Sequence, residues 1–279
     1  MNEPTATIPT RVLPFKGASN FRDLGGYANT EGRSIRWGKL YRSGHLAKLR
    51  NGDLRRLERL QIHTLIDFRS RMERERDPDR LPSGHHIRLL ELPVLDKGNT
   101  MLQEIRRRLT RSDFVGFDPD ARMAEAYRQF ATTFVEQYRQ FAHALLDADG
   151  APVLWHCTAG KDRAGFAAAL TLRLLGVPPA VVMQDYLLSG SYLSPSRTLL
   201  LLIRLTRGAQ ASRSIRALME VREHWMLGAF QAIDEHWGNF ERYVREGLAL
   251  SRADVAQLRQ ALLNPLVPPP EPPPPSVAA

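Results

Sequence analysis

Hydrophobic side chains in the middle of the chain recur at spacings of three and four residues. The positions are Met123, Tyr127, Phe130, Phe134, Tyr138, Phe141 and Leu145. Such spacing places the side chains on one face of an α-helix. The pattern therefore predicts one long amphipathic helix over 123–145, and large aromatic side chains on such a face are typical of core packing.

Short apolar runs bounded by charged or turn-forming residues predict buried β-strands. They lie within residues 34–41, 63–68, 86–94 and 152–155. Helices are predicted between and after them, at 51–60, 165–176, 179 onward, 196–207, 214–225 and 251–263. Strands that alternate with helices indicate an α/β fold, with a mainly parallel central sheet flanked by helices and an additional C-terminal helical region.

The residue composition at the two ends of the chain predicts one domain with two flexible ends. Residues 1–12 are expected to be a flexible N-terminus, and the proline-rich residues 265–279 are expected to be a disordered tail. That tail is either passive or a ligand for a proline-binding partner. Within the domain, 13–264, the helical pair at 196–225 is a candidate mobile lid.

The charge and composition of the chain argue against nucleic-acid binding and membrane insertion. The formal net charge is +9, carried mainly by arginine. Arginine suits anionic substrates, but neither zinc-finger spacing nor an aromatic-interleaved basic repeat is present, so nucleic-acid binding is not expected. The N-terminus lacks a signal-peptide pattern, and no apolar run is long enough to span a membrane. We expect a cytoplasmic protein without membrane insertion, and secretion by a signal-less route stays open.

Cys157 is the single cysteine of the chain. One cysteine excludes an intramolecular disulfide framework and Cys–Cys metal spacing, which leaves an inert buried residue or a reactive thiol. Cys157 follows an apolar run that ends at Trp155 and precedes an alanine-rich helix. This order places it at the carboxyl end of a parallel strand, where α/β sheets bind ligands.

The residues that follow Cys157 are typical of an oxyanion site. Thr158, Ala159 and Gly160 are small, so successive backbone N–H groups can turn inward around an anion, with the next helix N-terminus aimed at the same point. Arg163 offers a fork that binds a phosphoryl group in bidentate fashion. The same positive field favours the thiolate form of Cys157, which makes it a candidate nucleophile.

A thiolate attack on a phosphate ester needs a proton for the leaving oxygen, and Asp162 is the nearest acid. Asp118 and Asp120 are the alternative acids, and Asp162 would then only pair with an arginine. Lys161 is expected to reach the substrate or the strand-end carboxylate of Asp67.

Other uses of this loop fit less well. In a Walker A loop, Ser or Thr would follow Lys161, where this chain has Asp162. His156 precedes the cysteine on a strand and points the other way, so it is expected to brace the loop and not to act as a protease base. A sulfurtransferase stays a rival, although an arginine six residues after the cysteine favours phosphate.

The stretch HCTAGKDRAG, residues 156–165, resembles the His-Cys-x-x-Gly-x-x-Arg signature of cysteine-dependent protein tyrosine phosphatases. Its Gly-Lys-Asp-Arg form is similar to the bacterial branch that includes the mycobacterial protein tyrosine phosphatase B and related dual-specificity and phosphoinositide phosphatases. Four further segments resemble that branch in the same order, at 18–27, 37–46, 65–75 and 237–263. The resemblance covers about residues 13–264.

The resemblance implies Cys157 as nucleophile, Asp162 as general acid and Arg163 as phosphate clamp. It also implies phosphate-binding amides from Thr158 to Arg163, support from Lys161 for a broader substrate range, and Asp67 and perhaps Arg69 near the active site. No metal or cofactor is expected. Members usually carry Thr or Ser after the signature arginine, and Ala164 departs from this, which predicts a slower hydrolysis of phosphocysteine.

The expected activity is phosphomonoester hydrolysis through a phosphocysteine intermediate, with phosphotyrosine protein as the leading substrate class. Dual specificity is also implied. A phosphoinositide or another small phosphate ester is the runner-up, since the positive charge suits it. The non-enzymatic alternative is a pseudophosphatase that binds phosphate without hydrolysing esters, and Ala164 is the feature that favours it.

Overall fold

A five-stranded sheet lies at the centre of the described part of the chain. The computed structural model describes residues 10–84, 86–94, 101–111, 113–193 and 196–266. The strands are β1 (Arg22–Asp23), β2 (Leu40–Ser43), β3 (Thr64–Asp67), β4 (Arg88–Glu91) and β5 (Val153–His156). Their order is β1-β2-β5-β3-β4; β1 pairs antiparallel with β2, and the other pairings are parallel. The predicted α/β fold with a mainly parallel sheet is confirmed.

Helices cover both faces of this sheet. They are α1 (Asn51–Arg59), α2 (Arg71–Arg76), α3 (Met101–Arg111), α4 (Pro119–Ala131), α5 (Val135–Asp147), α6 (Arg163–Leu174), α7 (Pro179–Tyr192), α8 (Arg197–Arg207), α9 (Ala209–Met219), α10 (Glu223–Trp237), α11 (Phe240–Arg242) and α12 (Arg252–Leu262). A π-helical turn, Tyr243–Gly247, follows α11. The additional C-terminal helical region is thus present.

Alternation along the strands divides the core into two layers. Leu65 and Leu154 pack with Leu57 of α1 in the smaller cluster. Ile66 and Trp155 belong to the larger cluster, which contains the apolar faces of α4, α5, α6 and α10. Because all four residues of β5 are buried, this strand is held from both faces. A residue that follows it is therefore fixed in position.

The predicted single helix over 123–145 is wrong in its continuity. The structure has two helices, α4 and α5, which are separated at Thr132–Phe134. The carbonyl of Gln129 accepts bonds from three successive amides, those of residues 132, 133 and 134, which ends α4. Two adjacent β-branched threonines lower helix propensity at this point. All seven aromatic and aliphatic positions of the stripe are nonetheless buried, so the prediction of core packing is confirmed.

The predicted helix over 214–225 is also interrupted. α9 ends at Met219, Glu220 and Arg222 have extended backbones, and α10 begins at Glu223. The N-terminus of the last helix matches its pattern, since Ser251 and Asp254 form the capping box of α12.

The two ends of the chain are described only in part. Residues 1–9 of the predicted flexible N-terminus and residues 267–279 of the proline-rich tail lie outside the described residues. Arg11 contacts the domain, because its amide oxygen accepts a bond from the backbone N–H of Asp23. Among the described helices, none is both long enough and apolar enough to cross a membrane.

Candidate active site

Cys157 lies directly after β5 and begins a loop that ends at Arg163, the first residue of α6. Its side chain is buried. In the sheet, the last residue of β5, His156, lies opposite Ser43 on one side and Asp67 on the other. The carboxyl ends of three parallel strands therefore surround the cysteine, at the edge where such sheets bind ligands.

The loop turns at Gly160, which has a φ of +68°. A Cβ atom there would come within 2.4 Å of the backbone carbon of Ser43, so only glycine fits. The loop carbonyls point away from the cavity: that of Thr158 accepts a bond from the His45 amide, and that of Gly160 accepts one from Nδ2 of Asn20 at 2.8 Å. Because C=O and N–H point in opposite directions across a peptide, the following amides face the cavity.

A buried ion-pair network holds the outer side of the loop. Nη2 of Arg42 donates to the carbonyl of Gly160 at 2.7 Å, and Nη1 of Arg42 lies 2.8 Å from the carboxylate of Asp185. Arg22 pairs with the same carboxylate at 3.4 Å. Burial and the neighbouring charge of Arg42 lower the pKa of Arg22 to about 10. For Asp185, burial favours the neutral acid, but the charges of Arg22 and Arg42 outweigh it and hold its pKa below the usual range.

Arg163 is held by Glu73, a residue that the sequence analysis missed. Both terminal nitrogens of Arg163 donate to the carboxylate of Glu73, each at 2.8 Å. The hydroxyl of Thr158 donates to the same carboxylate. Burial disfavours the charged form of Glu73, yet the bonds and charge of Arg163 outweigh burial and hold the pKa of Glu73 far below its usual value. The same pair raises the pKa of Arg163.

A local signal for Glu73 exists in the sequence. Ser70 and Glu73 form a Ser-x-x-Glu capping box at the start of α2, in which the Glu73 carboxylate also accepts from the Ser70 amide at 2.9 Å. This box fixes the side chain of Glu73 at the position where Arg163 arrives.

Asp162 is bound by a tyrosine of the aromatic stripe. The hydroxyl of Tyr127 donates to Oδ1 of Asp162 at 2.7 Å, and the hydroxyl of Tyr186 donates to that of Tyr127 at 2.9 Å. Burial raises the pKa of Tyr127 well above its usual value. Tyr127 therefore stays protonated and acts as a donor to the aspartate. The stripe pattern identified Tyr127 as a core residue and gave no sign of this polar contact.

Lys161 does not reach Asp67, so that alternative is wrong, and its contact with the substrate stays a prediction. Its side chain is buried, and Nζ donates to the carbonyls of Leu218 and Glu220, both at 2.8 Å. These carbonyls lie at the C-terminal end of α9, where the helix dipole favours a cation. Lys161 thus joins the loop to the α8–α9 pair.

Asp67, Arg69 and His156 form a buried cluster with Asp79. Arg69 Nη2 lies 2.8 Å from Asp67 and 2.7 Å from Asp79, and Nε2 of His156 lies 3.1 Å from Asp79. None of these four side chains lines the active-site cavity, and their pairings join the ends of β3 and β5 to Asp79. Asp67, Asp79 and His156 are close enough to share a cation, and the guanidinium of Arg69 already pairs with both carboxylates.

One cavity of about 280 Å³ opens onto the loop. At one end it is lined by Glu73, Cys157, Thr158, Ala159, Lys161, Asp162 and Arg163, and its walls are Ile105, Met123, Ala126, Phe130, Leu193, Ile215, Leu218 and Met219. The site thus combines the polar and charged side chains of the cysteine loop and Glu73 with apolar walls, part of which comes from α9.

The two alternative acids are engaged elsewhere. Asp118 caps α4, accepting bonds from the amides of Asp120 and Ala121. Asp120 accepts from Arg222 at 2.8 Å and from the indole N–H of Trp225 at 2.8 Å. Neither carboxylate lines the cavity. Asp162 is the aspartate that the structure brings to the cysteine loop.

Comparison with known proteins agrees with this geometry. Residues 13–264 match the sequence model of the tyrosine phosphatase family. A Cupriavidus necator protein, tyrosine-protein phosphatase by name, is 36% identical over 247 residues, covering 88% of this chain and 86% of the relative. The triple specificity protein phosphatase PtpB of Mycobacterium tuberculosis is 32% identical, covering 92% of this chain and all of the relative.

A solved structure, P. aeruginosa TpbA, aligns with 71% of this chain and 89% of its own, at 20% identity and a TM-score of 0.29. The α/β fold of this chain is established by its own strand pairing. The family model spans the sheet, the cysteine loop and the helices that surround them. The resemblance on which the sequence analysis relied is confirmed: this chain belongs to the tyrosine phosphatase family.

Proposed function

We propose that this protein hydrolyses phosphomonoesters through a phosphocysteine intermediate, with phosphotyrosine protein as the leading substrate class and dual specificity included. One observation carries the proposal: Cys157, Asp162 and Arg163 open onto a single cavity from one loop. A nucleophile, an acid and a cation that share one loop keep their mutual geometry without help from distant elements.

Each residue of the loop has a role in the proposed reaction. The substrate phosphoryl group lies among the amides of Thr158 to Arg163, and Arg163 binds its oxygens through the N–H groups that Glu73 does not occupy. The thiolate of Cys157 attacks phosphorus, the bond to the ester oxygen breaks, and Asp162 gives that oxygen a proton. Water then attacks the phosphocysteine, Asp162 takes a proton from it, and phosphate and the thiolate are released.

The cavity walls support an aryl phosphate as substrate. Met123, Phe130 and Leu218 supply apolar surface beside the cysteine loop, which suits a ring that carries a phosphate. A phosphoinositide is the second candidate, favoured by the net charge of +9. Among the relatives, the M. tuberculosis protein is named a triple specificity phosphatase, which supports a broad substrate range here.

The test is release of para-nitrophenol from its phosphate ester, with a metal chelator present. The wild type should hydrolyse the ester in the presence of the chelator. Activity should be lost in Cys157→Ser and strongly reduced in Asp162→Ala. Asp118→Asn is the matched control, because Asp118 caps α4 and does not line the cavity; it should keep wild-type activity. An inert wild type that still binds vanadate would replace the enzyme assignment with a phosphate-binding module.

Two further assays separate the substrate classes. Phosphotyrosine peptides and phosphoinositides are offered at equal concentrations, and faster hydrolysis of the peptides supports the leading class. Thiocyanate release from thiosulfate and cyanide would instead indicate a sulfurtransferase, and none is expected because Arg163 and the amide cradle suit phosphate.

A further inference from the structure

α8 presents apolar side chains to solvent. None of the residues in Arg197–Arg207 is buried, although six of the eleven are leucine or isoleucine. The exposed fractions are 44% for Leu199, 55% for Leu201, 57% for Leu202 and 76% for Leu205. Single exposed leucines are ordinary on protein surfaces, but four on one short helix make a contiguous apolar patch that points to a binding surface.

These four leucines share the outer side of the helix. At about 100° per residue, Leu201, Leu202 and Leu205 fall within an arc of about 100°, and Leu199 extends it to about 160°. The half-buried Leu200 and Ile203 lie on the other side. α8 packs against α9 there, and the hydroxyl of Ser212 donates to the carbonyl of Leu200 at 2.9 Å. We call the outward set Leu199, Leu201, Leu202 and Leu205 the leucine face.

Positive charge borders one edge of the leucine face. Residues 197–219 contain five arginines and no aspartate or glutamate. The arginines are Arg197, Arg204, Arg207, Arg213 and Arg216. On the helical projection, Arg197 and Arg204 lie next to Leu201, along one edge of the face. An apolar helix face bordered by arginines complements the boundary of a bilayer that carries anionic headgroups.

We propose that the leucine face of α8 is a docking surface for anionic lipid bilayers. The helix has eleven residues and is about 16 Å long, roughly half of the ~30 Å hydrocarbon core, so it lies in the plane of the interface and does not span the membrane. The leucines enter the acyl boundary, and Arg197 and Arg204 extend to the phosphates of the headgroups.

The leucine face lies on the helix that packs against α9, which lines the active-site cavity. Ile215, Leu218 and Met219 of α9 line the cavity, while the leucine face lies on the other partner of the pair. Side chains that enter the membrane are therefore separate from those that contact the substrate. The surface holds the protein, and hence its cavity, close to the lipid.

The test is co-sedimentation of the full chain with vesicles. The Cys157→Ser variant is used, so that the result does not depend on catalysis and a failure leaves the proposed function untouched. Vesicles of phosphatidylcholine alone are compared with vesicles that also contain phosphatidylserine. Binding to the anionic vesicles should be about tenfold tighter or more, and it should weaken as salt is added.

Variants locate the binding surface. The combined Leu201→Gln, Leu202→Gln and Leu205→Gln variant should bind anionic vesicles about tenfold more weakly, because each glutamine removes apolar surface from the interface. Leu89, Leu227 and Leu266 provide the matched control: they are 51%, 44% and 60% exposed and lie outside α8, and their joint change to glutamine should leave binding unaltered. Circular dichroism melts of both variants report folding.

Three results would overturn the proposal. They are equal binding to both kinds of vesicle, unchanged binding of the α8 variant, and a chain that dimerises through the leucine face without binding vesicles. Sedimentation equilibrium detects the third, since the α8 variant would then be monomeric at concentrations where the wild type is a dimer.

Discussion

The hydroxyl of Tyr127 donates a 2.7 Å hydrogen bond to Oδ1 of Asp162, and the hydroxyl of Tyr186 in turn donates to Tyr127. This chain fixes the direction of the Asp162 carboxylate from the core side. Asp162 itself lines the cavity. Tyr127 is thus a positioning residue for the proposed general acid.

We expect Tyr127→Phe to lower kcat/KM about tenfold, because kcat/KM reports the step in which Asp162 protonates the leaving oxygen and a hydrogen bond to a charged group contributes about 1.5–3 kcal/mol. The loss should be larger for phenyl phosphate than for para-nitrophenyl phosphate. A poorer leaving group depends more on protonation by the acid. Steady-state kinetics with the two esters measure this difference.

Tyr243→Phe is the matched control for that variant. Tyr243 is fully buried and its hydroxyl has no hydrogen-bond partner within the described structure. Removing this hydroxyl should leave both esters hydrolysed at wild-type rates. Equal losses on the two esters in Tyr127→Phe would contradict a role through the acid.

The pair between Glu73 and Arg163 predicts a pH dependence of stability. The pKa of Glu73 is held far below its usual value in the folded chain. Its contribution to the free energy of unfolding is therefore complete above the unfolded-state value of about 4.3 and is lost as pH falls below it. Glu73→Gln leaves Arg163 buried without a counter-charge, which should cost about 3–5 kcal/mol at neutral pH.

Urea unfolding at several pH values tests this pair. The wild type should lose stability steeply as pH falls below about 4.3, and Glu73→Gln should show a shallower loss over the same range. Glu75→Gln on the same helix is the control, because Glu75 pairs with Arg71 at the exposed surface. Parallel pH curves for the wild type and Glu73→Gln would contradict the prediction.

The hydrogen bonds of Lys161 are expected to stabilise α9 against local opening. Its ammonium donates to two carbonyls, those of Leu218 and Glu220, and lies 5.5 Å from the ring of Trp225. Lys161→Met keeps the apolar stem and removes both bonds. Amide hydrogen exchange in 209–221 should become about tenfold faster or more, since each bond to a charged group contributes about 1.5–3 kcal/mol.

Lys48→Met is the matched variant for this measurement, because Lys48 is exposed. Its exchange in α9 should equal that of the wild type. Unchanged exchange in Lys161→Met would mean that the α8–α9 pair is held by its apolar contacts alone.

The cysteine loop was predictable because its limits are set locally. An apolar run ends at Trp155, and the alanine-rich pattern starts a helix near Arg163, where α6 begins. Gly160 was expected among the small residues of the loop, and its positive φ shows why a small residue is needed there. Such signals depend on neighbours in sequence, so periodicity and turn chemistry detect them.

Contacts between distant parts of the chain were not predictable in this way. Glu73 meets Arg163 across 90 positions, and Tyr127 meets Asp162 across 35. Periodicity placed Tyr127 in the core but carries no information about the partner of its hydroxyl. The break at Thr132 has a local cause instead, the two adjacent threonines, and it was missed because the helical spacing of the apolar residues continues across it.

Ala164 is expected to slow the second step of the reaction. It is fully buried on the first turn of α6, its carbonyl accepts a bond from the indole N–H of Trp155 at 3.0 Å, and it brings no hydroxyl near the cysteine loop. The departing thiolate of phosphocysteine therefore lacks a donor from this position, and hydrolysis of the intermediate should limit turnover. Rapid-mixing kinetics should show a burst of para-nitrophenol about equal to the enzyme concentration, followed by a slower steady state.

Ala164→Ser should raise the steady-state rate several-fold and shrink the burst, with the rate of the burst itself unchanged, because the added hydroxyl acts on the second step alone. Ala167→Ser is the matched control: Ala167 is equally buried on the next turn of α6, and a hydroxyl there should alter neither phase. A wild type without a burst and with a fast steady state would show that the loop amides and Arg163 stabilise the departing thiolate without help from residue 164.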